Sequence, residues 1–280
     1  MAEALQVSLC NELLADEGLS VDAQCEVAAA LGYMGLELAL GSLVPRPHEM
    51  TDAEADALRA RIEGHGLQVT GLHWLLAPYP DLSITDPDRQ AETGAVLDRL
   101  ITLCARLGGT VLVHGSPAQR RAVDGEDPAR TRDRLAAFFA PRAERAASDG
   151  VTYCIEPLSP AETDVITTVA EGADLVDAVG SPAFRTMIDT SAAGQGEDWP
   201  VADLIRQWVP DGRVAHIQAN DTNRGAPGTG QDPFPAIMAA LRASGWSAPV
   251  AVEPFRTTVS ASVTAAIGAA TLRTAWEAAA

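Results

Sequence analysis

A helical stretch rich in alanine, a glycine stop and a short apolar run ending in a polar residue recur along this chain. The pattern appears as Gly32-Tyr33-Met34-Gly35 before Leu36-Glu37-Leu38, and as Gly66 before Leu67-Gln68-Val69-Thr70. It returns as Gly108-Gly109 before Thr110-Val111-Leu112-Val113-His114, and as Gly150 before the run from Val151 to Glu156. Glycine after a helix takes up the left-handed cap at little cost. A strand that follows it as an unbroken apolar run is covered on both faces, which is the signature of a parallel sheet.

Eight strands are expected, near residues 5–10, 36–40, 68–74, 110–115, 151–156, 185–189, 214–218 and 250–254, with a last helix from about 258. Helix starts are marked too. Thr51 with Glu54 forms a capping box, and Asp86-Pro87, Asp127-Pro128 and Asp232-Pro233 each set a capping acid before a proline. Eight strand–helix units close most simply as one (β/α)8 TIM barrel over residues 1–280, because closure leaves no strand edge unpaired. A doubly wound open sheet is the alternative, but the first strand ends in Cys10-Asn11-Glu12-Leu13 and carries no G-x-G-x-x-G fingerprint. Long loops at 75–86 and 115–127 follow strands three and four, where a barrel builds the walls of its site.

At 280 residues and 47% hydrophobic the chain can bury one large core. A net charge of -18 argues against nucleic acid or an anionic membrane as partner, since binding either needs basic contacts. A small neutral substrate fits better. All 20 basic residues are arginine, and the absence of lysine excludes Schiff-base chemistry, including pyridoxal phosphate enzymes and lysine aldolases. Cys10, Cys25, Cys104 and Cys154 show no paired spacing and read as reduced, buried thiols. With no signal-like segment and no apolar run long enough for a bilayer, a cytoplasmic protein is expected.

Four apolar runs end on a carboxylate or amide: Tyr153-Cys154-Ile155-Glu156, Thr186-Met187-Ile188-Asp189, Val214-Ala215-His216-Ile217-Gln218 and Val250-Ala251-Val252-Glu253. In a closed barrel the four side chains meet over one mouth. Three carboxylates and one amide oxygen suit a hard divalent cation, Mg²⁺ or Mn²⁺, better than Zn²⁺. A single acid at a strand end is most often a helix cap or an ion-pair partner; four at successive strand ends are not explained that way.

At these residues the chain resembles the xylose isomerase-like barrel superfamily, and within it the D-tagatose and D-psicose 3-epimerases, over essentially its whole length. The segment Glu156-Pro157-Leu158 matches the metal-binding glutamate of that branch, with Glu162 six residues on as its sugar-contacting glutamate. Asp189-Thr190 and Glu253 match the ligands of strands six and eight. Asn223-Arg224-Gly225-Ala226-Pro227-Gly228-Thr229-Gly230 matches the loop whose arginine binds substrate hydroxyls. Two positions depart from the branch. Gln218 stands where the epimerases carry a metal-binding histidine and is similar to the glutamine ligand of hydroxypyruvate isomerases, while Ala192 replaces a substrate-holding histidine.

The resemblance implies one divalent metal, Mn²⁺ or Mg²⁺ with Co²⁺ as an option, held by Glu156, Asp189, Gln218 and Glu253. It also implies a homo-oligomer, dimer or tetramer, and a sugar substrate enolised by proton transfer, with Glu156 and Glu253 as the two proton-transferring groups on either side. The outcome is 3-epimerisation of a ketose; aldose–ketose isomerisation, dehydration of a keto-inositol or C-glycoside cleavage would use the same enediolate. A non-catalytic sugar-binding barrel is the alternative of another class.

His73 and His114 end strands three and four and are read as donors lining the substrate pocket, with a hydrogen-bonded core histidine as the alternative. They resemble zinc ligands of endonuclease IV, but the rest of that histidine set is missing and the charge is wrong for DNA. Trp74 would stack on a sugar face or pack beneath its loop. His216 lies two residues before Gln218, at a different depth. The loop from Gly225 to Gly230 and the pair Arg120-Arg121 could suit a phosphate. Asp221 and Asp232 beside that loop favour a neutral sugar instead.

Overall fold

The computed structural model describes residues 4–279. Eight strands form a closed barrel in the order of the chain: β1 Val7–Cys10, β2 Gly35–Leu38, β3 Gln68–Leu72, β4 Val111–His114, β5 Thr152–Ile155, β6 Phe184–Asp189, β7 Val214–Ala219 and β8 Val250–Val252. All neighbours run parallel, and β8 returns to β1 through Val7↔Val250 and Leu9↔Val252. Outside lie the helices α1 Glu12–Asp16, α2 Val21–Ala30, α3 Asp52–Gly64, α4 Gln90–Leu107, α5 Pro128–Asp149, α6 Val169–Val179, α7 Thr190–Gly196, α8 Val201–Trp208, α9 Phe234–Ala243 and α10 Ala261–Ala278. The fold is a (β/α)8 TIM barrel. Among the described residues no helix is long and apolar enough to cross a membrane.

Each expected strand forms within a few residues of its place, because the glycine stops act as anticipated. Gly108 and Gly150 are the left-handed caps of α4 and α5, and their amides bond back into the last helical turn. The Thr51–Glu54 capping box closes in both directions, and Asp127 accepts the Ala129 amide at the start of α5. The other two acid–proline starts are corrected. Asp86-Pro87 opens a turn and α4 begins only at Gln90. Asp232 caps no helix, since its carboxylate accepts both the amide and the hydroxyl of Thr222 across the preceding loop.

The large apolar core lies between barrel and helices, where Leu9, Leu36, Leu72, Leu112, Tyr153, Phe184 and Ile217 meet the helix layer. Inside the barrel a much smaller plug of Val111, Val113, Cys154 and Met187 fills the lower part. Above it the interior becomes polar. The register skips one residue on β3, between the partners of Leu36 and Glu37, and one on β7, between those of Thr186 and Met187. Such bulges re-aim side chains, and Glu37 and His216 lie at these two places.

Candidate metal centre at the barrel mouth

Glu156 follows β5, Asp189 ends β6, Gln218 lies in β7 and Glu253 follows β8, so four consecutive strands deliver one side chain each to the C-terminal mouth. Ligand oxygens of Glu156, Asp189 and Glu253 lie within 4.8 Å of one another. All four residues are buried, Glu156 being the most exposed at 7%. Their backbones are fixed. The Glu156 amide donates to the His114 carbonyl and the Glu253 amide to that of Ala219. Gly115 permits the arrangement, because a Cβ there would collide with the Glu156 carboxylate.

Three oxygens of the set have no hydrogen-bond partner: Asp189 Oδ2, Glu253 Oε2 and Gln218 Oε1. A buried acceptor left alone costs about 1–3 kcal/mol. Each residue nevertheless has its other polar atom engaged. Asp189 Oδ1 accepts the Ala192 amide at 2.6 Å, Glu253 Oε1 accepts the Trp74 indole at 3.2 Å, and Gln218 Nε2 donates to Glu37 at 2.8 Å. The side chains are therefore held by one end with an oxygen left over, which is the arrangement a hard cation requires of its ligands. Burial, followed by repulsion from the neighbouring acids, pushes Glu156 and Glu253 well above the usual carboxylate range, and burial pushes Asp189 up to about 7. A positive charge at this point would reverse all three shifts. The residues fit the cation.

Asn220 ties the site together and gave no signal in the sequence. Its side chain accepts the Ser191 amide and donates to the Glu253 carbonyl, while its backbone exchanges bonds with the Thr190 hydroxyl, so the ends of β6, β7 and β8 are fastened to one residue. Glu37, Glu12 and His216 were likewise not assigned. Glu37 is fully buried beneath the mouth. Its burial alone would raise its pKa, but His216 at 2.9 Å, His73 and the Gln218 amide outweigh that and hold it down to about 2. The His216 contact is close but out of line for a hydrogen bond. The signal in the sequence was the lone charge inside the apolar run Leu36-Glu37-Leu38.

The expected substrate-binding residues divide. Arg224 donates to Glu162 at 3.0 Å and lies 4.3 Å over the Phe255 ring; Phe255 stacks on Trp74 at 6.0 Å and 13°. These four side chains, from the loops after β3, β5, β7 and β8, form one connected surface over the mouth. His73 joins the interior, with Nε2 at 2.7 Å from Glu12 and 3.8 Å from Glu253. His114 is a correction: it faces outward. Val113 of the same strand occupies the inner plug, so alternation turns His114 to the helix layer, where it bonds the Tyr153 hydroxyl and lies edge-on to Phe139.

Arg120 is no solvated charge. It is fully buried and spans the loops after β4 and β5 by donating to the His114 and Ile166 carbonyls. Arg121 is exposed and donates to the Glu162 carbonyl. The loop after β7 has its own anion, since the Asp221 carboxylate accepts the amides of Gly228, Gly230 and Asp232. Those amides are therefore not free for a phosphate.

A parallel eight-stranded barrel with an oxygen-lined, buried centre at its C-terminal face defines the class of (β/α)8 barrels that carry an acidic site on their loop face. The chain belongs to the xylose isomerase-like TIM barrel family, which matches residues 25–275. It is 29% identical over 235 residues to a D-psicose 3-epimerase of Ruminiclostridium cellulolyticum, covering 82% of this chain and 76% of that protein. It is 30% identical over 240 residues to a Streptomyces coelicolor protein provisionally named a hydroxypyruvate isomerase, covering 81% and 82%. Among solved structures, an L-ribulose 3-epimerase superposes with a TM-score of 0.82 at 21% identity, covering 98% of this chain and 95% of the other. At that identity the likeness concerns the fold.

Proposed function

We propose that this chain is a divalent-cation-dependent sugar epimerase or isomerase that works by proton transfer at the carbon next to a carbonyl, with 3-epimerisation of a free ketose as its reaction. The observation that carries this reading is the set of three converging carboxylates and an amide from consecutive strand ends, three of which, Asp189, Gln218 and Glu253, keep a buried oxygen unbonded. The names of the relatives, D-psicose 3-epimerase and L-ribulose 3-epimerase, support the substrate class.

Glu156, Asp189, Gln218 and Glu253 would hold Mn²⁺ or Mg²⁺. When bound, the cation supplies positive charge beside a carbonyl oxygen and so makes the hydrogen on the neighbouring carbon more acidic. Glu156 and Glu253 are then the proton carriers: one takes the proton from the carbon and the other returns one to the opposite face. Trp74 holds one oxygen of Glu253 by its indole and leaves the other unbonded. Arg224 and Glu162 bind hydroxyls, and Trp74 with Phe255 covers an apolar sugar face. Asp221 occupies the amides a phosphate would use, which favours an unphosphorylated substrate.

Gln218 gives one specific reason for a second reading, aldose–ketose isomerisation of the hydroxypyruvate isomerase kind, since the same enediolate can be reprotonated at the neighbouring carbon. The test is metal-stripped protein with Mn²⁺ or Mg²⁺ and a panel of ketoses in D₂O, followed by NMR. Metal-dependent loss of the C3 signal supports the epimerase, loss at C1 the isomerase, and absence of exchange with every ketose would remove the proposal.

A further inference from the structure

Beside the oxygen-lined centre lies a second cluster with different donors. Cys10 ends β1, Glu12 opens α1, His73 directly follows β3, and Glu253 is shared with the first centre; one ligand atom of each lies within 4.8 Å of the others, and all four residues are buried. The backbone that carries them is rigid. The Asn11 side chain donates to Gln24 and Ser42 and accepts the Ala39 amide, which fixes the turn between Cys10 and Glu12. The His73 amide donates to the Leu38 carbonyl.

A hydrogen-bonded Glu12–His73 pair accounts for only part of this cluster. It uses Glu12 Oε2 and His73 Nε2, and leaves Glu12 Oε1 and Glu253 Oε2 buried without partners. The Cys10 thiol has only long contacts, 3.7 Å to Glu37 and 3.8 Å from the Gln218 amide. A buried carboxylate oxygen without a donor is costly, and here two of them adjoin a sulfur and an imidazole. One sulfur, one nitrogen and two carboxylate oxygens are a four-donor set of the kind Zn²⁺ takes, whereas the neighbouring centre offers oxygen alone.

We propose that Cys10, Glu12, His73 and Glu253 form a second cation site, selective for Zn²⁺ or a similar borderline-soft ion, next to the hard-cation centre. It stands on its own donors and shares with the function proposed above only the carboxylate of Glu253. Binding displaces the thiol proton of Cys10, and any proton on His73 Nε2, into solvent, so that sulfur and nitrogen each present a lone pair.

Metal-stripped protein is loaded with Zn²⁺, or separately with Mn²⁺, dialysed and assayed for metal by mass spectrometry. Co²⁺-loaded protein is inspected for a thiolate-to-cobalt charge-transfer band. The same measurements are made on Cys10→Ser and Asp189→Asn, with circular dichroism as the check on folding. The expected result is about two equivalents of Zn²⁺ and about one of Mn²⁺ in the parent, with Cys10→Ser losing one Zn²⁺ and the cobalt band. Asp189→Asn should lose the Mn²⁺ and keep the band. A parent that binds one equivalent of either ion, without a thiolate band and unaffected by Cys10→Ser, overturns the second site and leaves the first. No bound metal at all defeats both. Should Cys10→Ser not fold, the band in the parent alone decides, because no other cysteine belongs to the cluster.

Discussion

Glu253 is the residue on which most contacts converge: the Trp74 indole on one oxygen, His73 at 3.8 Å, the Asn220 amide on its carbonyl and the other acids around it. Removing its charge while keeping its shape separates chemistry from folding. Glu253→Gln should lower kcat by about 10²-fold or more and leave the circular dichroism spectrum unchanged; retention of full turnover would contradict its role. His114 makes a different prediction. Burial, helped by the Arg120 charge, holds it down to about 3 from an ordinary value of 6.5. A base with a depressed folded pKa contributes stability that is complete above its unfolded pKa and is lost as pH falls toward the folded one. Thermal stability should therefore decline between about pH 6.5 and pH 3, and His114→Asn should flatten that slope relative to the parent. Equal slopes in the two proteins would show that His114 does not titrate as its surroundings imply. In the sequence His114 looked like a pocket residue because it ends a strand; which face it takes depends on Val113 filling the barrel, and only closure decides that.

The elements were legible where the signal is local. Glycine stops, a capping box and unbroken apolar runs report the backbone within one or two turns, and all eight strands formed where those marks stand. Asp232 failed as a helix cap for the opposite reason, since its carboxylate is taken by Thr222 ten residues away, whereas the Asp86 carboxylate makes only a local bond to the Asp88 amide in a turn ahead of α4. The loop after β7 shows how far such bonding goes. Asp221 gathers three amides and Asp232 holds Thr222, so the segment bearing Arg224 is built around two carboxylates. Asp221→Ala leaves those amides without an acceptor and should cost about 1–3 kcal/mol, read as a lower Tm, together with a raised KM because Arg224 loses its support. A variant with parental Tm and KM would show the loop to be fixed by other contacts.

For the molecule as a whole, the barrel closes on an interior that changes from apolar below to acidic above. Glu12, Glu37, Glu156, Asp189 and Glu253 are all buried there, against His73, His216 and Arg120. This network was the least legible part of the sequence, because its members come also from β2, from the segments after β1, β3 and β4, and from a second position on β7, beyond the four strand ends that drew attention. The excess of negative charge makes stability depend on what neutralises it. Adding Mn²⁺ at about 100 times its Kd should stabilise the fold by about 2.7 kcal/mol, seen as a rise in Tm that a chelator reverses. Because Glu156 and Glu253 hold protons more tightly than ordinary carboxylates, metal affinity should weaken as pH falls, with proton release measurable by calorimetry in buffers of different ionisation enthalpy. A Tm indifferent to metal would count against the centre.

Trp74, Ser116, Ile166, Arg224 and Val259 have positive φ without being glycine, and each lies in a loop that leaves the C-terminal end of a strand. Such conformations cost about 1–3 kcal/mol each and persist only where the surroundings enforce them. For anyone selecting more heat-resistant descendants of this protein, glycine at these five places is the tempting change, and it would come at the rim where the sugar is proposed to enter. A selection for endurance alone would thus drift toward variants that outlast their parent and turn over less, whereas one that scores both traits would leave these positions untouched and gather its gains on the helical exterior.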